Sequence, residues 1–497
     1  MTRRHRLTAL LLCHGVAGCS DGDASTAAGA GGGAASSSSS AGGAPLEPAL
    51  GLYAEYFAAY LDLALGRVES TLDADWMDGS PSDAVGADRF SARWTGFVTA
   101  PATGSYTIAT ETDDGVRVWI DDALVIDDWN GHFVTRNEAT VELTAGNAVP
   151  IRVDYFEIDL AASIKLLWSS DAIAEEVIPT DVLTTFDAPT GLASPKPPYV
   201  NPVIPFDCPD PGVMFDGTTF YAVCTGGAFP IRSSRSLVFW NDTGTALLPA
   251  GKPAWAANGN RNWAPELHRV GDGLVAYFTS VDSADVLSIG AVHAPSVQGP
   301  WMEQPGPLDQ HALGVIDATF FEDDDGSRWL IDKVDGNSQG QPTPIRIRRL
   351  AADGLAFEGT FVTILTNDSG SWEGGVVEAP WIVKRDGSYY LFYSGNVYDH
   401  RYRTGVARAA ALTGPYEKHG TPILANNERW VGPGHGSVVS VSGKDYFVYH
   451  AWTNDGAGAH LLSAGRQVLV DRIVWSGGWP SISDGTPSRT PQPWPGD

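Results

Sequence analysis

Apolar and polar positions alternate in short runs along nearly the whole chain. The runs 93–98, 104–110, 116–120, 140–143, 151–156 and 163–168 each read as a strand bounded by turn residues. Helical periodicity is absent over any useful length. Residues 50–172 therefore predict an all-β sandwich. A Pro-rich stretch at 187–198 reads as a linker, and the residues after it carry a repeat. Five times a turn precedes an aromatic-rich strand: Gly217 before 220–223, Gly273 before 275–278, Gly326 before 328–331, Gly387 before 389–392 and Gly443 before 446–449. Five all-β units of similar length predict a five-bladed propeller with radially arranged strands. The fold class expected is all-β, an N-terminal β-sandwich followed by a C-terminal five-bladed β-propeller.

Just ahead of each turn, a short strand opens on a polar side chain: Asp210, Glu266, Asp317, Glu378 and His435. The first strand of a blade lines the central channel, so four carboxylates and one histidine are expected at one mouth. Unpaired burial of each is costly, and no equal number of bases accompanies them, so the ring reads as a site.

Composition narrows the chemistry. Lys and Arg number 32 against 59 Asp and Glu, a net charge of −27, which repels phosphate backbones and argues against nucleic acid as a partner. No apolar run reaches the ~20 residues that span a bilayer. The 17 tryptophans suit stacking on sugar faces as well as core packing. No His-Glu-x-x-His run is present. Gly336-Asn337-Ser338-Gln339-Gly340 has nucleophile-elbow spacing, but the prolines at 342 and 344 forbid the helix that motif needs. Grouped carboxylates with nearby tryptophans fit glycoside hydrolysis, in which one acid protonates the leaving oxygen and another carboxylate activates water.

The N-terminus has the layout of an export signal over 1–18: Arg3, Arg4, His5 and Arg6, then an apolar core at 7–12. Val16-Ala17-Gly18-Cys19 resembles a bacterial lipobox, which implies lipidation of Cys19 and anchoring to the cell envelope, the only membrane contact expected. The Gly/Ala/Ser tract up to residue 49 reads as a flexible tether. Cys13 leaves with the signal, so Cys208 and Cys224, 16 residues apart, are expected to form a disulfide rather than a zinc site.

Two family resemblances sit on these readings. Gly51-Leu52-Tyr53-Ala54-Glu55-Tyr56-Phe57, the run Phe90 to Phe97, and Thr112-Asp113-Asp114-Gly115 with Val116 to Asp121 resemble the protective-antigen domain, named after the anthrax toxin component. Asp154-Tyr155-Phe156-Glu157 and Leu166-Leu167-Trp168-Ser169 fit its closing strands. Sugar-binding members hold Ca²⁺ with an adjacent aspartate pair, which Asp113 and Asp114 match; hard carboxylates suit that ion. Asp-Asp-Gly is equally ordinary turn chemistry.

The second resemblance is to glycoside hydrolase family 43, which acts on arabinan and xylan. It is carried by Cys208-Pro209-Asp210-Pro211-Gly212, Asn262-Trp263-Ala264-Pro265-Glu266, Val315-Ile316-Asp317-Ala318, Val377-Glu378-Ala379-Pro380 and Gly432-Pro433-Gly434-His435-Gly436-Ser437. Trp475-Ser476-Gly477-Gly478-Trp479-Pro480 matches its C-terminal stretch. The resemblance implies Asp210 as general base, Glu378 as general acid, and Asp317 as the carboxylate that orients the acid and raises its pKa. It also implies inversion at the anomeric carbon, with carboxyls ~6.5–9.5 Å apart. His435 is expected near the channel centre, facing a Ca²⁺ through water or serving as a satisfied channel histidine. Glu266 reads as structural, Arg466 as a sugar ligand or an ion-pair partner, and Trp263 and Trp372 as pocket walls or core.

The function expected is that of a lipid-anchored, monomeric glycosidase without organic cofactor, removing α-L-arabinofuranosyl residues from plant polysaccharide. A β-xylosidase is the near alternative, and a non-catalytic surface adhesin the distant one. The domains expected are the sandwich at 50–172, a linker at 173–199, the propeller at 200–487 and a tail at 488–497.

Overall fold

The computed structural model describes residues 49–185 and 192–497. The export signal, Cys19 and the tether up to residue 48 lie outside the described residues, as does part of the predicted linker. Each strand expected in the sandwich is present, usually longer: Phe90–Thr99, Gly104–Asp113, Val116–Ile120, Thr135–Leu143, Ala148–Glu157 and Ala162–Ser170. Phe90–Thr99 pairs antiparallel with Ala148–Glu157 on one side and Leu52–Ala58 on the other. In the facing sheet Gly104–Asp113 runs between Ala162–Ser170 and Thr135–Leu143. Alternation along these strands drives Tyr56, Trp94 and Tyr155 of one sheet, and Tyr106, Ile164 and Trp168 of the other, into a shared core.

The sandwich is longer than expected. Ile173–Val177 pairs with Ala162–Ser170 and Leu183–Thr185 with Phe90–Thr99, while Ile178 and Leu183 fill the core. Residues 173–185 are therefore sandwich rather than linker. The apolar residues there fall in adjacent pairs broken by Glu175-Glu176, Pro179 and Asp181, which gave no periodic signal.

Five antiparallel sheets follow. Their innermost strands are Gly212–Phe215, Trp263–Val270, Val315–Glu322, Val377–Arg385 and Trp430–Val441. The repeated aromatic segments form the second strands, Phe220–Val223, Gly273–Val281, Arg328–Val334, Ser388–Gly395 and Lys444–Thr453. The ring closes where the chain entering blade one runs beside blade five: Val203 N–H donates to the Val468 carbonyl and Cys208 N–H to that of Arg466. The expected tail also packs down, since Gln492 bridges to Tyr199 and Trp494 is buried.

The sandwich docks directly on the propeller within one compact unit. Tyr60, fully buried, places its ring 5.7 Å from Phe239 and 5.8 Å from Trp494. Phe156 joins the same apolar cluster as Val439, Tyr446 and Val470. Ser194 Oγ donates to the Tyr60 carbonyl and Trp129 Nε1 to that of Lys196.

Cys208 and Cys224 are disulfide-bonded, with Cα atoms 5.2 Å apart. The bond joins the segment entering blade one to the end of its second strand. Replacing both cysteines by alanine should lower unfolding free energy by about 2–4 kcal/mol, because the unfolded chain regains the freedom of that loop. Denaturant midpoints of the two proteins at equal pH measure this, and equal midpoints would contradict it.

Candidate active site

Each blade places one non-glycine residue in the left-handed region, within its innermost strand or, in blade one, two residues ahead of it: Asp210 (φ 53°), Ala264 (43°), Asp317 (58°), Ala379 (55°) and His435 (46°). In blades two to five that residue falls inside a register shift with the neighbouring strand. A bulge of this kind re-aims a side chain, here toward the channel. Strain on the order of 1–3 kcal/mol per residue, repeated around one mouth, is typical of a functional site. The repeat thus corrects the expected ring. Asp210, Asp317 and His435 occupy equivalent positions, but their counterparts in blades two and four are Ala264 and Ala379. Glu378 stands one residue before that position and Glu266 two residues after it.

Asp210, Asp317, Glu378 and His435 line one cavity of about 270 Å³ together with Trp263 and Arg466. Asp210 is nearly buried. Its Oδ1 lies 3.1 Å from Arg466 Nη1 and 3.3 Å from Nδ1 of both His435 and His450, and its Oδ2 accepts from Thr225 Oγ1 at 2.6 Å. Burial alone would raise this carboxyl; Arg466, His435, His450 and the Thr225 hydroxyl outweigh it and hold it well below the usual carboxylate range. Asp210 is thus ionised at neutral pH. His450 Nδ1 accepts the Asp210 backbone N–H, and burial with the Arg466 charge holds that imidazole neutral.

Asp317 Oδ2 accepts the backbone N–H of Ala379 at 3.0 Å, which ties it to the residue after Glu378. Burial pushes the Asp317 carboxyl up to about 7, with His435 pulling down and Glu378 pushing up. Glu378 is held from two sides: Tyr402 O–H donates to Oε1 at 2.8 Å and Lys333 Nζ to Oε2 at 2.9 Å. Lys333 is fully buried and also bonds Asp335. For His435, burial would lower the imidazole, but Asp210, Asp317, Glu266 and Glu378 together raise it.

Sequence reasoning missed Thr225, Lys333, Tyr402 and His450. A charged Lys333 beside Asp332, just after the apolar run Trp329-Leu330-Ile331, was the one local signal; the others act across the fold. Trp263 lines the cavity. Trp372 does not: its ring packs over Gly395 and Gly405 and stacks on Tyr393, because only glycine leaves room for an indole there. Arg466, beyond pairing with Asp210, lies over the exposed Tyr398 ring.

Glu266 lies off the cavity, with His268 Nε2 3.2 Å from its Oε2. Burial pushes its carboxyl up to about 8 from 4.5, against His435 and the Thr319 hydroxyl. The folded chain keeps a proton there that the unfolded chain loses above about 4.5. The resulting stability is fully present below that pH and is lost as pH rises through about 8. Glu266→Gln should therefore raise the denaturation midpoint above wild type near pH ~9 and match it near pH ~4. Parallel urea titrations at the two pH values check this; a variant weaker at both would contradict it.

In the sandwich, Asp113 ends a strand and Asp114 turns left-handed at φ 63°. The backbone N–H groups of His132 and Ile158 donate to the two Asp114 carboxylate oxygens. Among the described residues, Asp113, Asp114 and Glu157 are the cluster whose ligand atoms all lie within 4.8 Å of one another. His435 belongs to no such cluster.

Residues 199–480 match the family model of glycosyl hydrolases family 43, and residues 47–181 match that of the PA14 domain. The chain belongs to glycosyl hydrolase family 43, with a PA14 domain ahead of its propeller. An anti-sigma-I factor, RsgI3, of Acetivibrio thermocellus is 38% identical over 141 residues, 28% of this chain and 22% of that protein. Over the propeller, a β-D-galactofuranosidase, xynD, of Aspergillus niger is 28% identical, covering 56% of this chain and 82% of its own. The extracellular exo-α-(1→5)-L-arabinofuranosidase ArbA of Cellvibrio japonicus is 26% identical, covering 56% and 87%. A crystal structure of a thermostable family-43 glycoside hydrolase superposes with TM-score 0.54 at 28% identity, over 60% of this chain and 99% of the other.

Proposed function

We propose that this chain hydrolyses terminal α-L-arabinofuranosyl linkages of plant polysaccharide in a single inverting displacement. The observation that carries the reading is Asp210: a buried carboxylate kept ionised by Arg466, His435 and the Thr225 hydroxyl, in the cavity that Glu378 also lines. Asp210 takes a proton from water as it attacks the anomeric carbon. Glu378 gives a proton to the leaving oxygen. Asp317 acts through the Ala379 amide to fix the rotamer and height of Glu378. Trp263 gives the sugar an apolar wall. A shallower groove shares Asn337, Val376 and Val397 with the cavity and offers the departing chain a polar path past Glu378.

The arabinofuranosidase activity for which ArbA is named supports arabinose over xylose, while relatives named as xylosidases keep the β-xyloside reading in view. Nitrophenyl α-L-arabinofuranoside should be cleaved at least ~10-fold faster, by kcat/KM, than nitrophenyl β-D-xyloside. The reverse order would assign the xylosidase activity, and no cleavage of either would favour an adhesin.

The sandwich serves adhesion in this reading. Asp113 and Asp114 hold Ca²⁺, which would bind sugar hydroxyls, and the exposed Phe133 ring beside them would stack on a sugar face. An ion at His435 would take most of its ligands from water, since among the described residues no cluster of three ligand atoms includes that ring. The Cys19 anchor would keep the enzyme on the cell envelope. Asp113→Ala in the full chain should slow hydrolysis of insoluble arabinan several-fold and leave nitrophenyl substrates unchanged, because only local concentration is lost. Unchanged rates on both would remove the adhesive role.

A further inference from the structure

We propose that Glu157 completes a divalent-cation site with Asp113 and Asp114, and that the bound cation ties the sandwich to the propeller. The proposal rests on the reading that the aspartate pair holds a cation, and adds a third ligand and a mechanical consequence. Glu157 is fully buried; its Oε2 accepts from the Tyr155 hydroxyl, while its Oε1 has no hydrogen-bond partner. One oxygen from each of the three carboxylates lies within 4.8 Å of the others, which suits a hard cation of flexible coordination. The facing loop is held close: a Cβ on Gly131 would meet Asp114 Oδ1 at 3.2 Å and Ile158 Cδ1 at 2.9 Å.

The mechanical link is the segment 156–158. Its polar side carries the Glu157 carboxylate and the Ile158 N–H bonded to Asp114. Its apolar side is the joint. Phe156 and Ile158 pack into the cluster that contains Val439, Tyr446 and Trp494 of the propeller. The Tyr60 hydroxyl donates to the Glu157 carbonyl at 2.5 Å, and the Tyr60 ring lies against Phe239 and Trp494. Without a cation three acidic side chains this close disfavour one another's charge and leave the segment less firmly held. A divalent cation draws them together and holds Phe156, Ile158 and Tyr60 against the propeller.

The test uses the full chain stripped with chelator, then Ca²⁺ alone, followed by calorimetry and by hydrogen exchange at 59–62 and 492–497. Wild type should bind Ca²⁺, and exchange in both segments should slow several-fold on binding. Glu157→Gln should weaken the affinity at least tenfold and abolish the slowing, with nitrophenyl glycoside turnover reporting an intact propeller. If that variant fails to fold, Glu157→Asp, which keeps the charge and shortens the reach, must show the same weakening. Unaltered affinity in the Glu157 variant overturns the proposal while leaving the aspartate-pair reading intact, provided Asp113→Asn still loses binding. Unaltered affinity in both variants, or none in wild type, ends both readings. Weakened affinity with unchanged exchange in wild type refutes the link to the joint. An ion at His435 contributes equally to every variant and cancels.

Discussion

Asp210→Asn lowers kcat/KM by about 10²–10⁴-fold on polysaccharide and on nitrophenyl glycosides alike. The amide is isosteric, so the cavity keeps its shape, but it cannot accept the proton of the attacking water. Base catalysis is needed whatever the leaving group, so an activated substrate brings no relief. The substitution also leaves Arg466 and His435 without their carboxylate partner. Folding is checked separately by the denaturation midpoint, because loss of an ion-paired buried charge destabilises by its own route. A loss confined to natural substrates would give Asp210 a different role.

Glu378→Gln should behave in the opposite way. On natural glycans the loss is ~10²-fold or more, because the leaving sugar alkoxide must be protonated as the bond breaks. With nitrophenolate as leaving group most of that loss disappears, since the anion departs unassisted. Lys333 Nζ keeps Asp335 as partner in this variant, and Tyr402 can still donate to the amide oxygen, so local geometry should survive. Equal losses on both substrate types would contradict the acid assignment.

The fold was legible where the signal was local. Strands at 116–120 and 151–156 followed from apolar and polar residues alternating over most of each run, and the blades from a glycine turn before each aromatic strand. Gly217, Gly326, Gly387 and Gly443 do sit at positive φ, as such turns require. In blade two the left-handed residue is Gly271 rather than Gly273, a two-residue error that the neighbouring Gly-Asp-Gly made easy.

The site was legible in part. Asp210, Asp317 and His435 were found through their place ahead of each turn. The bulge that sets the direction of Asp317 and His435 leaves no mark along the chain, so counting back from each turn makes Glu266 and Glu378 equivalent to residues to which they do not correspond. Lys333 reaches Glu378 from the neighbouring blade and Tyr402 from beyond the next strand of the same blade, 45 and 24 residues away in sequence, and no pattern along the chain encodes such a contact. The docking of Tyr60 between Phe239 and Trp494 is hidden for the same reason.

The central claim, a single displacement run by Asp210 and Glu378, is tested most directly by the anomer released first. Proton NMR during hydrolysis of nitrophenyl α-L-arabinofuranoside should show β-L-arabinofuranose appear before any mutarotation. Initial release of the α anomer would require a covalent intermediate and would contradict the account.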